Sequence, residues 1–192
     1  MGDFAFDQDS QVVVAEGVSV AGDVSAAEGV FAAELTGRWN GTAGAVNGGY
    51  MLATCIRALA LGMPFPDPIV VSGFFLRPGM PGPATVRTSV IRSGRTTAFG
   101  DSVLAQDGKD VVRATAAFAR LGEVPDDGQD GLVFLDGTPP ALPPPQECLG
   151  VPVGSFGPAS IAERIEFRSA ELPGWFRGQP SCAGSTSTGG RR

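Results

Sequence analysis

Between Gly29 and Leu35 the chain alternates: Phe31, Ala33 and Leu35 form one set, and Val30, Ala32 and Glu34 the other. That period of two predicts a short strand. A shorter β-like run at Gln11–Ala15 lies in an acidic, small-residue-rich lead-in, residues 1–28. The pattern then changes. From Tyr50 to Leu61 apolar residues fill nearly every position, broken only by Thr54 and Arg57, with Gly62 as a helix stop and Pro64 just beyond. A helix without a polar stripe must be covered around most of its circumference. The cover is predicted from four later segments rich in Val, Ile, Thr and Phe: Ile69–Leu76, Ala84–Ser93, Thr96–Gln106 and Asp110–Arg120. Proline and glycine separate the first two, and the turn dipeptides Ser93-Gly94 and Asp107-Gly108 separate the rest. The expected architecture is α+β: one buried helix followed by an antiparallel meander whose twist lets long strands curl around it.

Beyond Leu121 the alternation is lost. Proline, aspartate and glycine dominate residues 122–160, including Pro139-Pro140 and Pro143-Pro144-Pro145, so an extended linker is predicted there. Ile161–Arg168 alternates again and reads as the opening strand of a second unit. From Gly178 to Arg192 no aliphatic side chain exceeds alanine, which leaves nothing to build a core. The expected division is a lead-in at 1–28, a folded domain at 29–121, a linker at 122–160 and a fragment of a second unit with an aberrant tail at 161–192.

Composition narrows the chemistry. The 192 residues include 28 Gly and 16 Pro, as a strand-and-turn protein would, and no histidine. Imidazole-based nucleophile pairs, HExxH zinc helices and histidine proton shuttles are therefore excluded. Acid–base work must fall to carboxylates, hydroxyls or thiols. Lys109, the single lysine, sits in a predicted turn, which argues against a Schiff base. A net charge of −6 disfavours a phosphate backbone as partner, so no nucleic-acid binding is expected. Cys55, Cys148 and Cys182 are odd in number and lack CxxC spacing, which fits reduced thiols and a cytoplasmic setting better than disulfides or a metal site. Acids precede the first base, Arg38, the reverse of a secretory leader. The longest apolar run falls short of the ~20 residues that span a bilayer, so no membrane insertion is expected.

Asn47-Gly48-Gly49 directly precedes the apolar helix. It can be read as an N-cap followed by glycines that permit tight packing, or as a helix terminus whose free N–H groups hold a carbonyl oxygen and the oxyanion formed from it. Asn47-Gly48-Gly49-Tyr50, Phe74-Phe75-Leu76-Arg77-Pro78-Gly79, Arg92-Ser93-Gly94-Arg95-Thr96 and Gln106-Asp107-Gly108-Lys109 come in an order that resembles the acyl-CoA thioesterase II-like (TesB-like) branch of the hot-dog superfamily. The resemblance covers about residues 30–120 and, more loosely, Ile161–Gly178. It implies a hot-dog fold, normally two per chain joined by a linker. It also implies hydrolysis of acyl-CoA to free acid and CoA with no metal or cofactor.

In that branch an aspartate, a threonine and a glutamine of the second hot dog form the catalytic group, and this chain ends before that half is complete. The fold is therefore expected as an incomplete double hot dog. Gly184–Arg191 can be encoded so that a shifted frame reads as an alternating, strand-like peptide, which gives the further expectation of a truncated or frameshifted chain. By resemblance, Asn47, Gly48, Gly49 and Thr96 are candidate catalytic positions, and Tyr50, Phe75, Arg77 and Arg95 candidate substrate-binding ones. Arg77 and Arg95 are suited to CoA phosphates or are simply solvated. Phe74 and Phe75 face opposite sides of a strand, and either lines an acyl channel or fills the core. Asp101 is a buried base or an outward strand residue, and Cys55 is core filling. The water-activating base is unassigned. The expected partner besides substrate is a second copy, because a lone sheet leaves an edge unpaired. The alternatives are a non-catalytic acyl-CoA-binding protein and an inactive truncation product.

Overall fold

A computed structural model describes residues 4–15, 28–41, 44–122, 141–150 and 161–171. Pro139-Pro140, Cys182 and the tail from Gly178 lie outside the described residues, as does most of the expected linker. Six antiparallel strands form one sheet in the order β1-β2-β4-β5-β6-β3: β1 is Val12–Val14, β2 Glu28–Leu35, β3 Asp67–Phe75, β4 Gly82–Ser93, β5 Thr97–Gln106 and β6 Lys109–Ala119. Besides these the first 122 residues carry the short helix α1, Ala5–Asp9, and the main helix α2, Gly48–Ala60. The architecture is α+β, as the hydrophobic pattern predicts.

Helix α2 buries Tyr50, Met51, Thr54, Cys55, Ala58 and Leu59 against the curled sheet. Their i, i+1, i+4, i+5, i+8, i+9 spacing marks one continuous helical face. The sheet answers with Phe31, Leu35, Val86, Leu104, Val112 and Phe118, all nearly inaccessible. Leu52 and Ile56 are only half-buried on the flank of the helix. The Asp107-Gly108 turn has positive φ at both residues, 49° and 72°, the type I′ geometry that matches strand twist.

The expected meander holds for β4, β5 and β6, but β3 departs from it. Instead of lying beside β4, it pairs with β6 at the far edge, Val71 opposite Ala116 and Phe75 opposite Val112. The link from Leu76 to Pro81 is too rich in proline and glycine for a hairpin ladder. It crosses beneath the start of α2, where Gly79 O accepts the Val46 amide at 2.9 Å. A Cβ on Gly79 would stand 2.3 Å from Met51 Sδ, so any larger residue here would have to displace the buried Met51 side chain.

Residues 4–15, read from the sequence as lead-in, strap the other side of α2. Phe6 packs edge-on to Trp39 with ring centroids 5.1 Å apart. Arg57, the one charged residue of the helix, donates to Asp7 O at 2.5 Å and to Asp7 Oδ1 at 3.0 Å. Asp9 accepts from Trp39 Nε1 at 2.8 Å and pairs with Arg38. The alternation of Ile161–Arg168 does not produce a strand of that length. Ile161–Glu163 is a 3-10 turn whose Ile161 amide donates to Asn40 O at 2.9 Å. Of this stretch only Arg168–Ser169 (β8) is a strand, paired with Leu149–Gly150 (β7), and Ile165 and Phe167 stay exposed.

Candidate functional site

Asn47 caps α2. Its Oδ1 accepts from the Gly49 amide at 2.8 Å and the Tyr50 amide at 3.3 Å, while its own N–H donates to Trp39 O at 2.9 Å. The cap thus takes up the Gly49 N–H, one of the two amides that sequence reasoning offers to an oxyanion. The Gly48 N–H has no acceptor among the described residues, as expected for the first turn of a helix. The positive end of the helix dipole adds to that amide's pull on a partial negative charge.

The Phe75 ring lies against Gly48. A Cβ on Gly48 would lie 2.9 Å from the Phe75 ring, so a larger residue here would have to push the half-exposed ring aside. Phe74 faces the opposite side of the sheet and is two-thirds exposed. A cleft of about 390 Å³ opens here, lined by Val46, Gly48, Met51, Phe75, Leu76 and Arg77 together with Pro78. It combines one free amide, an apolar wall and one guanidinium, a combination that suits a carbonyl with an apolar chain on one side. None of these lining residues is a carboxylate, hydroxyl or thiol, so the cleft has no group to activate water.

Residues 35–119 match the family model of the acyl-CoA thioesterase N-terminal domain. Over those residues the chain is similar to that domain, and its fold is a hot dog. The fold is shared with solved structures at low identity. One is a Thermobifida fusca YX protein described as a thioesterase II candidate: TM-score 0.66, 23% identity, 85% of this chain and 53% of that one. Another is a hot-dog protein of unknown function from Alicyclobacillus acidocaldarius: TM-score 0.61, 21% identity, 83% and 52%. A third is a single-residue variant of the phenylacetic acid degradation protein PaaI from Thermus thermophilus: TM-score 0.51, 23% identity, 60% and 98%. The chain spans about half the length of the first two. No curated protein is a significant match.

Within the hot-dog domain the other predicted site residues separate. Tyr50 is 1% exposed, and its hydroxyl donates to Asp9 O at 2.6 Å. Burial pushes its ionisation up, and the expectation that it touches substrate is corrected: the ring belongs to the core under α1. Arg95 and Thr96 sit in the exposed β4–β5 turn, at the end of the sheet where β3 begins and α2 ends. The ten residues of β5 put roughly 30 Å between them and the Gly48 end. A single chain therefore does not join Thr96 to Asn47, Gly48 and Gly49. Arg77 does lie at the cleft, its Nη1 donating to Asp110 O at 2.6 Å. Asp101 is half-buried between Ser89 and Thr115 on the outer face of the sheet, remote from α2. Cys55 is core, as expected, and burial drives its thiol up to about 12, an effect that the nearby Ser102 hydroxyl and Leu104 backbone only partly offset.

Sequence reasoning misses Gln106 and Gly79 as site-building residues. The Gln106 side chain donates to Met80 O at 2.8 Å and accepts from Met80 N at 3.0 Å, clamping the loop that follows Arg77. Gly79 keeps that loop against Met51. Both stand in quoted motifs, but only the fold shows that these motifs meet. Among the described residues no helix is long and apolar enough to cross a membrane.

Proposed function

We propose that this chain binds acyl-CoA in the Gly48 cleft and takes part in hydrolysing the thioester to free acid and CoA. The observation that carries the reading is the unpaired Gly48 amide at the head of α2, in a cleft whose apolar lining includes Phe75 and Met51. Water adds to the carbonyl carbon, and charge gathers on the carbonyl oxygen, where the Gly48 N–H and the helix dipole stabilise it. The carbon–sulfur bond then breaks and the CoA sulfur leaves, taking up a proton. Asn47 acts as the positioning residue that fixes the first turn. The free Cys55 and Cys148 fit a reducing, cytoplasmic setting.

Because the cleft lacks a base, the water-activating group must come from outside it. The β3 edge offers a route. Antiparallel pairing of β3 with β3 of a second copy would bring that copy's Arg95–Thr96 end to this chain's Gly48 end. Thr96 and Arg95 would then act across the pair, not within one chain. A second reading, non-catalytic acyl-CoA binding, is favoured by the same absence of a base. Release of CoA from acyl-CoAs of graded chain length, measured beside binding of the same ligands, separates them. Saturable release that falls at least tenfold in Phe75→Ala is the expected result. Binding without release favours the second reading, and neither binding nor release overturns both.

A further inference from the structure

Three clefts line up at the end of the molecule where α2 begins. The Gly48 cleft shares Arg77 and Pro78 with a second one of about 240 Å³, whose wall includes Met80, Gln106 and Lys109. The second shares Pro83, Gln106 and Asp107 with a trough of about 830 Å³ on the outer face of the sheet, lined in part by Ala32, Ala84 and Ala105. The walls of the middle cleft are fixed. Gln106 Nε2 reaches Met80 O at 2.8 Å and Pro83 O at 3.3 Å, and Arg77 is tied to the backbone of Asp110. The Asp110 carboxylate is itself taken up by Arg113 at 2.7 Å and Arg87 at 3.1 Å.

The charge here runs against that of the whole chain. The formal net charge is −6, yet Arg77 and Lys109 line the middle cleft against a single carboxylate, Asp107. The positive charge is confined to the middle cleft: the trough beyond it is lined by Arg38 and Arg87 but also by Asp9, Glu34 and Asp107. Arg77, bound through one N–H to the Asp110 backbone, keeps further donors free. Arginine and lysine side chains on a rigid, exposed wall match phosphate oxygens in geometry and charge.

We propose that the middle cleft is the subsite for the diphosphate of the CoA moiety, held by Arg77 and Lys109. The pantetheine arm then runs past Pro78 to bring the thioester to Gly48, and the nucleoside enters the alanine-floored trough. This assignment rests on the acyl-CoA reading above, and free CoA tests it without any turnover. Calorimetric titration of the full chain with CoA should give saturable binding. The Arg77→Ala/Lys109→Ala double variant should bind at least tenfold more weakly, with a shallower dependence on salt. Lys109→Glu alone, which breaks no hydrogen bond, should also weaken binding by at least tenfold. Arg92→Ala removes an equally exposed cation from the far end of β4 and should leave the affinity within twofold. CoA binding that is equal in wild type and Lys109→Glu, or weakened as much by Arg92→Ala, overturns the subsite and leaves the thioester site standing. A wild-type chain with no CoA binding at millimolar concentration removes the acyl-CoA reading itself.

Discussion

At the scale of single residues, the fully buried Cys55 thiol ties the stability of the fold to pH. A thiol held near 12 in the native state and near its ordinary value when unfolded binds its proton more tightly when folded. The unfolded chain therefore gains by ionising first, and stability should fall as pH rises from about 9 toward 12, by about 1.4 kcal/mol per pH unit for this group. Tyr50, also shifted upward, adds a loss of the same sign at still higher pH. Urea titrations between about pH 8 and 10.5 should show this decline, and Cys55→Ala should flatten it at the cost of a less stable starting point. A thiol reagent at about pH 8 should label Cys55 only after unfolding. Asn47 is the converse case. From the sequence it reads as a cap or an oxyanion partner, and its bonds to Gly49 and Tyr50 fix it as the cap, leaving the Gly48 N–H without an acceptor among the described residues.

At the scale of elements, the period-two and near-continuous apolar patterns locate α2 and the main strands to within a few residues. Pairing order lies beyond such patterns. Nothing in Ile69–Leu76 says that it crosses to the far edge; the reason lies in the Leu76–Pro81 link and in Gly79 resting on Met51. The α1 strap is equally hidden. Its signals, Phe6, Asp7 and Asp9, acquire meaning only through Trp39, Arg38 and Arg57, which are distant in the chain. Removing Asp9 should expose its importance, because Trp39 is buried and would keep an unpaired indole N–H. Asp9→Ala should cost about 1–3 kcal/mol, the penalty of a buried donor left unsatisfied. Urea denaturation checks the loss. An unchanged midpoint would mean that α1 does not hold the Trp39 side of the helix.

At the scale of the whole molecule, the most consequential feature is the β3 edge. Ile69, Val70, Val71, Phe74, Phe75 and Leu76 are all 40% exposed or more, and the outer backbone of the strand has no partner strand among the described residues. Such an edge is a template for association. The chain, 19.6 kDa as a monomer, should run as a dimer in light scattering. Val70→Lys, on an exposed position that costs the monomer little, should return it to a monomer. A monomeric wild type, or a dimer indifferent to Val70→Lys, would exclude this edge and with it the sharing of Thr96 across copies.

The central claim is that a thioester carbonyl docks on the Gly48 amide. It is tested most directly by amide NMR of the full chain titrated with an acyl-CoA analogue that keeps the carbonyl but carries a methylene in place of the sulfur. The largest downfield shift should fall on Gly48, with Gly49 held near its free position by the Asn47 cap. Shifts concentrated at the Arg95–Thr96 turn or on the outer face, with Gly48 unmoved, would contradict the account.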